Sequence, residues 1–227
     1  MHISEGILPA KWAIAWYGAA VPFLAKGLSD FKRRVQEAPA FKPVLGLMGA
    51  SIFIISVVPV PVPIAGTSAH PCGTPMAAIL VGPFLSTLLA AVSLLLQALF
   101  FAHGGLTTLG ANIISEGLVG SLAGYGVFRL LRSRGASLGL AAGLAGWLGD
   151  LAVYATTSAE LALALHGTRS VFSVGLAIFG AFLPAQLPLA VLEGVITAGM
   201  VNYVWKHRPD ILLQLGIVQS KREGMVA

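Results

Sequence analysis

Long apolar runs separated by short polar stretches dominate the pattern along this chain. The runs cover residues 12–28, 43–58, 76–102, 113–131, 137–165 and 171–205. A helix rises about 1.5 Å per residue, and the hydrocarbon core of a bilayer is ~30 Å thick, so most of these runs are long enough to cross it. The pattern predicts an all-α integral membrane protein, built as a polytopic bundle.

Residues 59–75 form the one long break in this apolar pattern. Prolines at positions 59, 61, 63, 71 and 75 exclude a continuous helix, because each removes a backbone donor and restricts the residue before it. A shorter polar stretch follows at 103–112. Non-helical backbone at membrane depth has to line an enclosed cavity, which is where a small polar substrate would sit.

The distribution of Lys and Arg predicts the topology. Loops 29–42, 129–136 and 206–222 are basic and are predicted to be cytoplasmic, whereas 59–75 and 103–110 contain no Lys or Arg. Residues 76–102 must then begin and end on the same side, yet they are too few for two full crossings. We therefore expect a short or re-entrant helix ending near Gly82-Pro83, about seven membrane segments in total, an outside N-terminus and a cytoplasmic C-terminus. Residues 1–210 would form the transmembrane domain and 211–227 a cytoplasmic tail.

Composition agrees with a membrane protein and excludes several other classes. The 227 residues are 56% hydrophobic and 10% charged, with a mean hydropathy of +0.85, whereas soluble domains carry about 25% charged residues. The net charge of +5 lies in loops beside apolar runs and does not indicate nucleic acid. A single cysteine, Cys72, excludes an internal disulfide. No cleavable leader is recognised, so Met1 is expected to be the mature N-terminus.

The first two residues, Met1 and His2, offer a metal-chelating frame. The α-amine, the His2 backbone nitrogen and the His2 imidazole Nδ1 can form fused chelate rings in one plane, which His70 can complete. Planar nitrogen sites suit Ni(II) or Cu(II), and nitrogen ligands also accept Co(II). A chain can begin with Met-His for no metal-related reason, and a histidine beside proline can be an ordinary polar residue, so a structural role stays open here.

Other polar residues are candidates for support of this site. Thr67 and Ser68 are placed to orient the His70 ring, and His103 is either a supporting or a structural residue. Asn112, Glu116 and Glu193 are polar residues within apolar runs. Polar groups inside a membrane are energetically costly and commonly functional. The two glutamates have an alternative role in buried pairs or hydrogen bonds between helices. Cys72 is interpreted as a small buried thiol, and Asp150, Glu160 and His166 as structural residues near a helix end or loop.

Small residues also recur at helix-packing spacing. The pairs are Gly120/Gly124, Gly139/Gly143, Ala145/Gly149 and Gly194/Ala198. Packing inside the bundle is the first interpretation, and docking of another membrane subunit is the second. No HExxH, P-loop or GxSxG motif is present, so the chain is not predicted to be an enzyme.

Three stretches together resemble one transporter family. They are Met1-His-Ile-x-Glu-Gly6, Gly66-Thr-Ser-Ala-His-Pro-Cys-Gly-Thr74 and His103-Gly-Gly-Leu-Thr-Thr-Leu-Gly-Ala-Asn112. They resemble the CbiM/NikM family, the metal-capturing membrane components of energy-coupling-factor cobalt and nickel transporters. The resemblance implies a seven-segment fold with Met1, His2 and His70 as ligands. Glu116 departs from it, because an apolar residue, often Met, is expected there.

The resemblance also implies partners and a location. These are a transmembrane coupling subunit, ATPase subunits and often a small accessory membrane subunit, in a prokaryotic cell membrane. The predicted function is capture of Co2+ or Ni2+, with a lean to cobalt and no organic cofactor. A standalone ion-coupled carrier or channel using Glu116 or Glu193 is the alternative. An intramembrane metal enzyme would need a water-activating base beside the metal, which the sequence does not show.

Overall fold

A computed structural model describes residues 2–57, 60–61 and 67–218 of the chain. Met1, residues 58–59 and 62–66 of the proline-rich stretch, and 219–227 lie outside the described residues. Within the described ranges the chain is predominantly helical. The helices are α1 (Ala10–Glu37), α2 (Lys42–Ser56), α3 (Thr74–Val81), α4 (Pro83–Phe100), α5 (Leu109–Asn112), α6 (Gly120–Ser133), α7 (Leu138–Leu165), α8 (Val171–His207) and α9 (Pro209–Gln214).

Five shorter elements complete the described chain. The strands are β1 (His2–Ile3), β2 (Val60–Pro61) and β3 (Thr67–Ala69), and they form one antiparallel sheet in the order β1-β3-β2. A 3-10 turn, Pro39–Phe41, separates α1 from α2. Between α5 and α6 the chain forms a π-helical stretch, Ile113–Val119, which we call the π segment.

The predicted break at Gly82-Pro83 is confirmed. Gly82 has a φ of 94°, a left-handed conformation that glycine adopts readily, and Pro83 starts α4 because its fixed φ suits the first helical position. The short helix α3 precedes it and is about 12 Å long. All eight of its residues are buried. It therefore lies inside the bundle, as backbone of partial membrane depth requires.

Three described helices are long and apolar enough to cross a membrane by length and composition: Pro83–Phe100, Leu138–Leu165 and Val171–His207. The chain is thus consistent with a membrane protein, while the count of seven segments and their orientation stay predictions. One boundary was wrong, because α1 does not end near residue 28 but continues to Glu37. Lys26 and Arg33 each pair with Asp30 along this last part of the helix, and Pro39 then limits its extension.

Glycines bring α6 and α7 close to α3. A Cβ at Gly124 of α6 would lie 2.6 Å from Pro75 Cβ and 2.9 Å from Pro75 Cα, and one at Gly149 of α7 would lie 2.7 Å from Pro75 Cγ. A Cβ at Gly194 of α8 would lie 2.8 Å from the carbonyl oxygen of Gly143. These small residues pack inside the chain, which favours the first of the two interpretations given above.

This packing can be tested with two glycines of α6. Gly124→Ala should lower the free energy of unfolding by about 1–3 kcal/mol, because the new methyl group overlaps Pro75 and has to displace backbone. Gly126→Ala is the control: its Cβ meets nothing within 4 Å, so the better helix propensity of alanine should leave stability unchanged or improved. Thermal unfolding of the purified proteins in detergent measures both, and equal midpoints would contradict the close approach.

Candidate metal centre

Strand pairing brings the N-terminal lead to the segment that precedes His70. In the β1–β3 pair, His2 lies opposite Ser68 and Ile3 opposite Thr67. The ladder places the side chains of His2 and His70 together: His2 Nδ1 lies 2.6 Å from His70 Nε2. Two histidines separated by 68 positions thus meet in one pocket. Their role as ligands stays a prediction.

A third imidazole belongs to the same group. Ring centroids are 4.5 Å apart for His2 and His70, 4.1 Å for His2 and His103, and 5.1 Å for His70 and His103. One nitrogen from each ring lies within 4.8 Å of the others. The exposed fractions are 1%, 0% and 7%, so the three rings share an enclosed pocket. The sequence indicated His103 only as a supporting or structural residue, and the structure places it directly against His2.

Backbone groups fix the orientation of His70. Its Nδ1 lies 2.9 Å from the carbonyl oxygen of Pro71, and because that oxygen only accepts, Nδ1 carries the proton. Nε2 then directs a lone pair toward His2, as a metal ligand would. The Tyr154 hydroxyl of α7 accepts from the His70 backbone N–H at 3.1 Å. Sequence reasoning missed Tyr154, because an aromatic residue in an apolar run looks like ordinary core.

Ser68 and Thr67 both belong to β3, next to the pocket. The Ser68 hydroxyl lies 2.9 Å from Nε2 of His103. The sequence had predicted a contact with the His70 ring instead. Thr67 pairs with Ile3 in the sheet and so helps to hold the N-terminal lead. Both residues support the pocket, but Ser68 does so through the third histidine.

Burial also keeps the three imidazoles uncharged. It lowers the pKa of His2 and His70 well below the usual 6.5, and it lowers the pKa of His103 to about 4. The closeness of the other rings acts in the same direction at His2. At neutral pH all three therefore offer the neutral form, which is the form that binds metal ions.

The N-terminal lead, residues 2–8, is fastened across the pocket, and we call it the strap. Asn112 binds both backbone groups of Ile3: its Oδ1 accepts from the N–H at 2.8 Å, and its Nδ2 donates to the carbonyl at 3.1 Å. Thr108 Oγ1 donates to the same carbonyl at 2.6 Å. Asn112, predicted as supporting, thus holds the residue next to His2.

The outer part of the strap is held by the glycine-rich loop before α5. Glu5 N donates to the Gly104 carbonyl at 3.2 Å, and the Thr107 N–H donates to the Glu5 carboxylate at 3.1 Å. The Thr107 bonds lower the pKa of Glu5. A Cβ at Gly105 would lie 2.5 Å from Glu5 Cα, so this close approach requires glycine.

Glu116 lies behind His2, in the middle of the π segment. Its Oε2 is 3.9 Å from His2 Nε2, and both side chains are at most 1% exposed. The sequence predicted Glu116 as a supporting residue, and the structure places it against the ring edge that faces away from His70.

A second buried cluster holds the segment that follows His70. Glu193 of α8 accepts from the backbone N–H groups of Cys72 at 2.9 Å and of Gly73 at 3.1 Å. The Cys72 thiol donates to Asp150 Oδ1 at 3.1 Å, and the Gln186 amide donates to the other oxygen of Asp150. Asp150 lies in the middle of α7 and not near its end, which corrects the sequence-based placement. A lone aspartate within a long apolar run is a signal that could have identified this position.

The fold and the site together define a helical bundle of membrane type with a buried, nitrogen-rich pocket closed by its own N-terminal segment. Residues 2–211 match the CbiM family, described as the cobalt uptake substrate-specific transmembrane region. The chain belongs to this family, which confirms the resemblance seen in its motifs.

Relatives of known name and structure agree. The chain is 52% identical over 224 residues to a cobalt transport protein CbiM of Geobacter sulfurreducens, covering 99% of this chain and 65% of that protein. It is 50% identical over 219 residues to a cobalt transport protein CbiM of Sorangium cellulosum, covering 96% and 97%. A crystal structure described as a transition metal transporter is similar with a TM-score of 0.80 at 29% identity, covering 91% of this chain and 93% of that one. A truncated transition metal transporter is similar with a TM-score of 0.79 at 29% identity, covering 91% and 99%.

The hydrogen bonds that hold the strap can be tested without substituting a histidine. Asn112→Leu should raise amide hydrogen exchange at residues 2–6 roughly tenfold or more, because leaving the buried Ile3 N–H without its acceptor costs about 1–3 kcal/mol. Gln97→Leu is the control, since it also removes a buried amide but one bonded to Ser56 and Ser93. Unchanged protection of the strap in the Asn112 variant, measured by mass spectrometry, would refute this fastening.

Proposed function

We propose that this chain captures Co2+ for uptake into the cell, holding the ion between the strap and His70. The observation that carries the proposal is the 2.6 Å approach of His2 Nδ1 to His70 Nε2 in a buried pocket. Without an ion, His2 Nδ1–H can donate to the lone pair of His70 Nε2. We propose that a metal ion takes the place of this proton and binds both nitrogen atoms.

The geometry suits ligands that are neighbours around one ion. Metal–nitrogen bonds of about 2 Å place adjacent ligands roughly 2.8 Å apart, close to the separation of the two imidazole nitrogens. The proposed set is the α-amine of Met1, the backbone nitrogen of His2, His2 Nδ1 and His70 Nε2. The first three form a planar chelate, and His70 fills the position beside Nδ1.

Nitrogen donors accept Co(II) and Ni(II) alike. Cobalt is the proposed substrate because both named relatives are called cobalt transport proteins. His103 is proposed as a supporting residue, which packs on His2 and is held by Ser68.

Energy for uptake would come from other subunits. The proposed partners are a transmembrane coupling protein, ATPase subunits and a small accessory membrane protein, in a prokaryotic cell membrane. The proposed orientation places the strap outside. Basic residues near the far ends of α1 and α6, Arg34 and Arg129, lie beside Gly82 at the opposite end of α3 from the pocket. Such clustering of positive charge is typical of a cytoplasmic face.

The alternative of an ion-coupled carrier finds less support. It would use an intramembrane glutamate as an exchangeable coupling group. Glu193 instead binds two backbone N–H groups that follow His70, which is a structural task. We therefore favour a capture subunit that depends on an ATPase.

Uptake of radioactive cobalt tests this function. Cells that lack cobalt importers would express the chain with coupling and ATPase subunits. Uptake should fall to background when the ATPase subunits are inactivated, and His70→Ala should reduce it at least tenfold because a ligand is lost. His166→Ala is the matched control, since that histidine is only partly buried and lies just after α7, outside the group of three histidines. ATPase-independent uptake, or normal uptake by His70→Ala, would contradict the proposal, and a stronger response to Ni2+ would reassign the substrate.

The amine ligand has a test of its own. One extra residue before Met1 converts the Met1 nitrogen to an amide and breaks the chelate, while every imidazole remains. Bound cobalt should therefore fall as severely as in His2→Ala. The control adds one residue at the C-terminus. Normal cobalt content in the N-terminally extended protein, measured by elemental analysis after purification, would exclude the amine as a ligand.

A further inference from the structure

The carboxylate behind His2 points to one more contributor to the site. Glu116 is fully buried, and its Oε2 faces Nε2 of His2 at 3.9 Å. The opposite nitrogen of that ring, Nδ1, faces His70. The imidazole of His2 therefore lies between the proposed metal position and a carboxylate. Histidines that bind metals are commonly oriented by a carboxylate at the second ring nitrogen.

The second ring nitrogen of His2 needs a hydrogen-bond acceptor when the first binds a metal. When Nδ1 binds a metal, Nε2 of the neutral ring carries the proton and becomes a donor. Among the residues that the structure describes, nothing hydrogen-bonds to His2 Nε2, although the atom is buried. The 3.9 Å to Glu116 is about 1 Å longer than a normal N–H···O bond, so a small shift of the ring closes it.

The local backbone conformation places Glu116 behind His2. It lies in the π segment, and π turns are uncommon and frequently found at functional sites. Hydroxyls from neighbouring helices hold the carbonyls of this turn: Thr74 Oγ1 donates to the Glu116 carbonyl at 2.8 Å, and Thr87 Oγ1 donates to that of Gly117 at 3.1 Å. Two helices thus stabilise an unusual turn around this one residue.

Two other buried carboxylates bind groups that are not proposed as metal ligands. Glu193 holds the backbone after His70, and Asp150 holds the Cys72 thiol and the Gln186 amide. Glu116 is the acid that faces a proposed ligand. The proposed ligand set carries a single negative charge, on the amide nitrogen, so a divalent ion leaves one net positive charge in a buried pocket. Uncompensated charge is costly there.

We propose that Glu116 is a positioning residue for the metal, accepting the Nε2–H of His2 and balancing the charge of the bound divalent ion. The proposal rests on the function proposed above. It adds a carboxylate–imidazole–metal arrangement, in which Glu116 determines how strongly His2 donates and how well the pocket tolerates a 2+ charge.

Cobalt titration of the purified full chain tests it. Glu116→Gln keeps the size and an acceptor oxygen but removes the charge, and it should weaken Co2+ binding about 10- to 100-fold. The ligand-field absorption bands of bound Co2+ should shift as well, because His2 becomes a weaker donor. Glu160→Gln is the matched control: it removes another buried carboxylate, on α7, that is not in contact with the three histidines. It should bind within about twofold of the unaltered chain, with unchanged bands.

The outcomes separate this proposal from the proposed function. Co2+ binding by Glu116→Gln with unaltered affinity and absorption bands would overturn the role of Glu116 and leave capture intact. An equal loss of Co2+ affinity in Glu160→Gln would also overturn it, because the effect would then follow from removing any buried carboxylate. If the unaltered chain binds no Co2+, capture itself fails and this proposal with it. Thermal unfolding of each variant without metal identifies a folding defect, and Glu116→Asp, which restores the charge on a shorter side chain, should then recover part of the affinity.

Discussion

The structure depends on one constraint: irregular backbone placed inside a helical membrane bundle must have its polar groups satisfied by protein. Water is scarce there, and each unsatisfied N–H or C=O costs several kcal/mol (about the desolvation penalty of a peptide group). The segment around His70 and the strap are both irregular. Tyr154 binds the backbone of His70, Glu193 that of Cys72 and Gly73, and Asn112 that of Ile3. These side chains come from different helices, so the bundle itself fixes where the two histidines meet.

The same constraint explains why the pocket is assembled from distant parts of the chain. The β1–β3 pair brings the N-terminal residues beside the segment that precedes His70, because neighbouring strands lie about 4.8 Å apart. His2 is only 1% exposed, because the strap covers it, and side chains of the helices hold the strap in place.

Much of this architecture could be predicted from the sequence, because hydropathy and proline positions act locally. The break at Gly82-Pro83 followed from loop charge and segment length, and the structure has it. The family followed from three motifs and is confirmed by the match over residues 2–211. The helix end at Glu37 was missed because charged residues favour helix as well as loop, so charge alone does not mark a boundary.

The contributions of Tyr154, Asp150 and His103 needed the structure, and the reason is physical. An aspartate in an apolar run indicates that it has a partner, whereas a tyrosine there looks like ordinary core. In both cases the partner depends on the rotation of the helix about its axis. One residue of slip turns a side chain by about 100°, which moves it from the pocket to lipid. That rotation is fixed by close packing at glycines such as Gly149 against Pro75, which no local pattern encodes. The buried acids illustrate the consequence. By sequence Glu193 was a candidate for moving ions and Asp150 a structural residue, whereas in the fold Glu193 binds backbone N–H groups and Asp150 binds a thiol and an amide. A costly polar group in a membrane is therefore evidence of a partner, and only the packing decides whether that partner is the chain itself or its cargo.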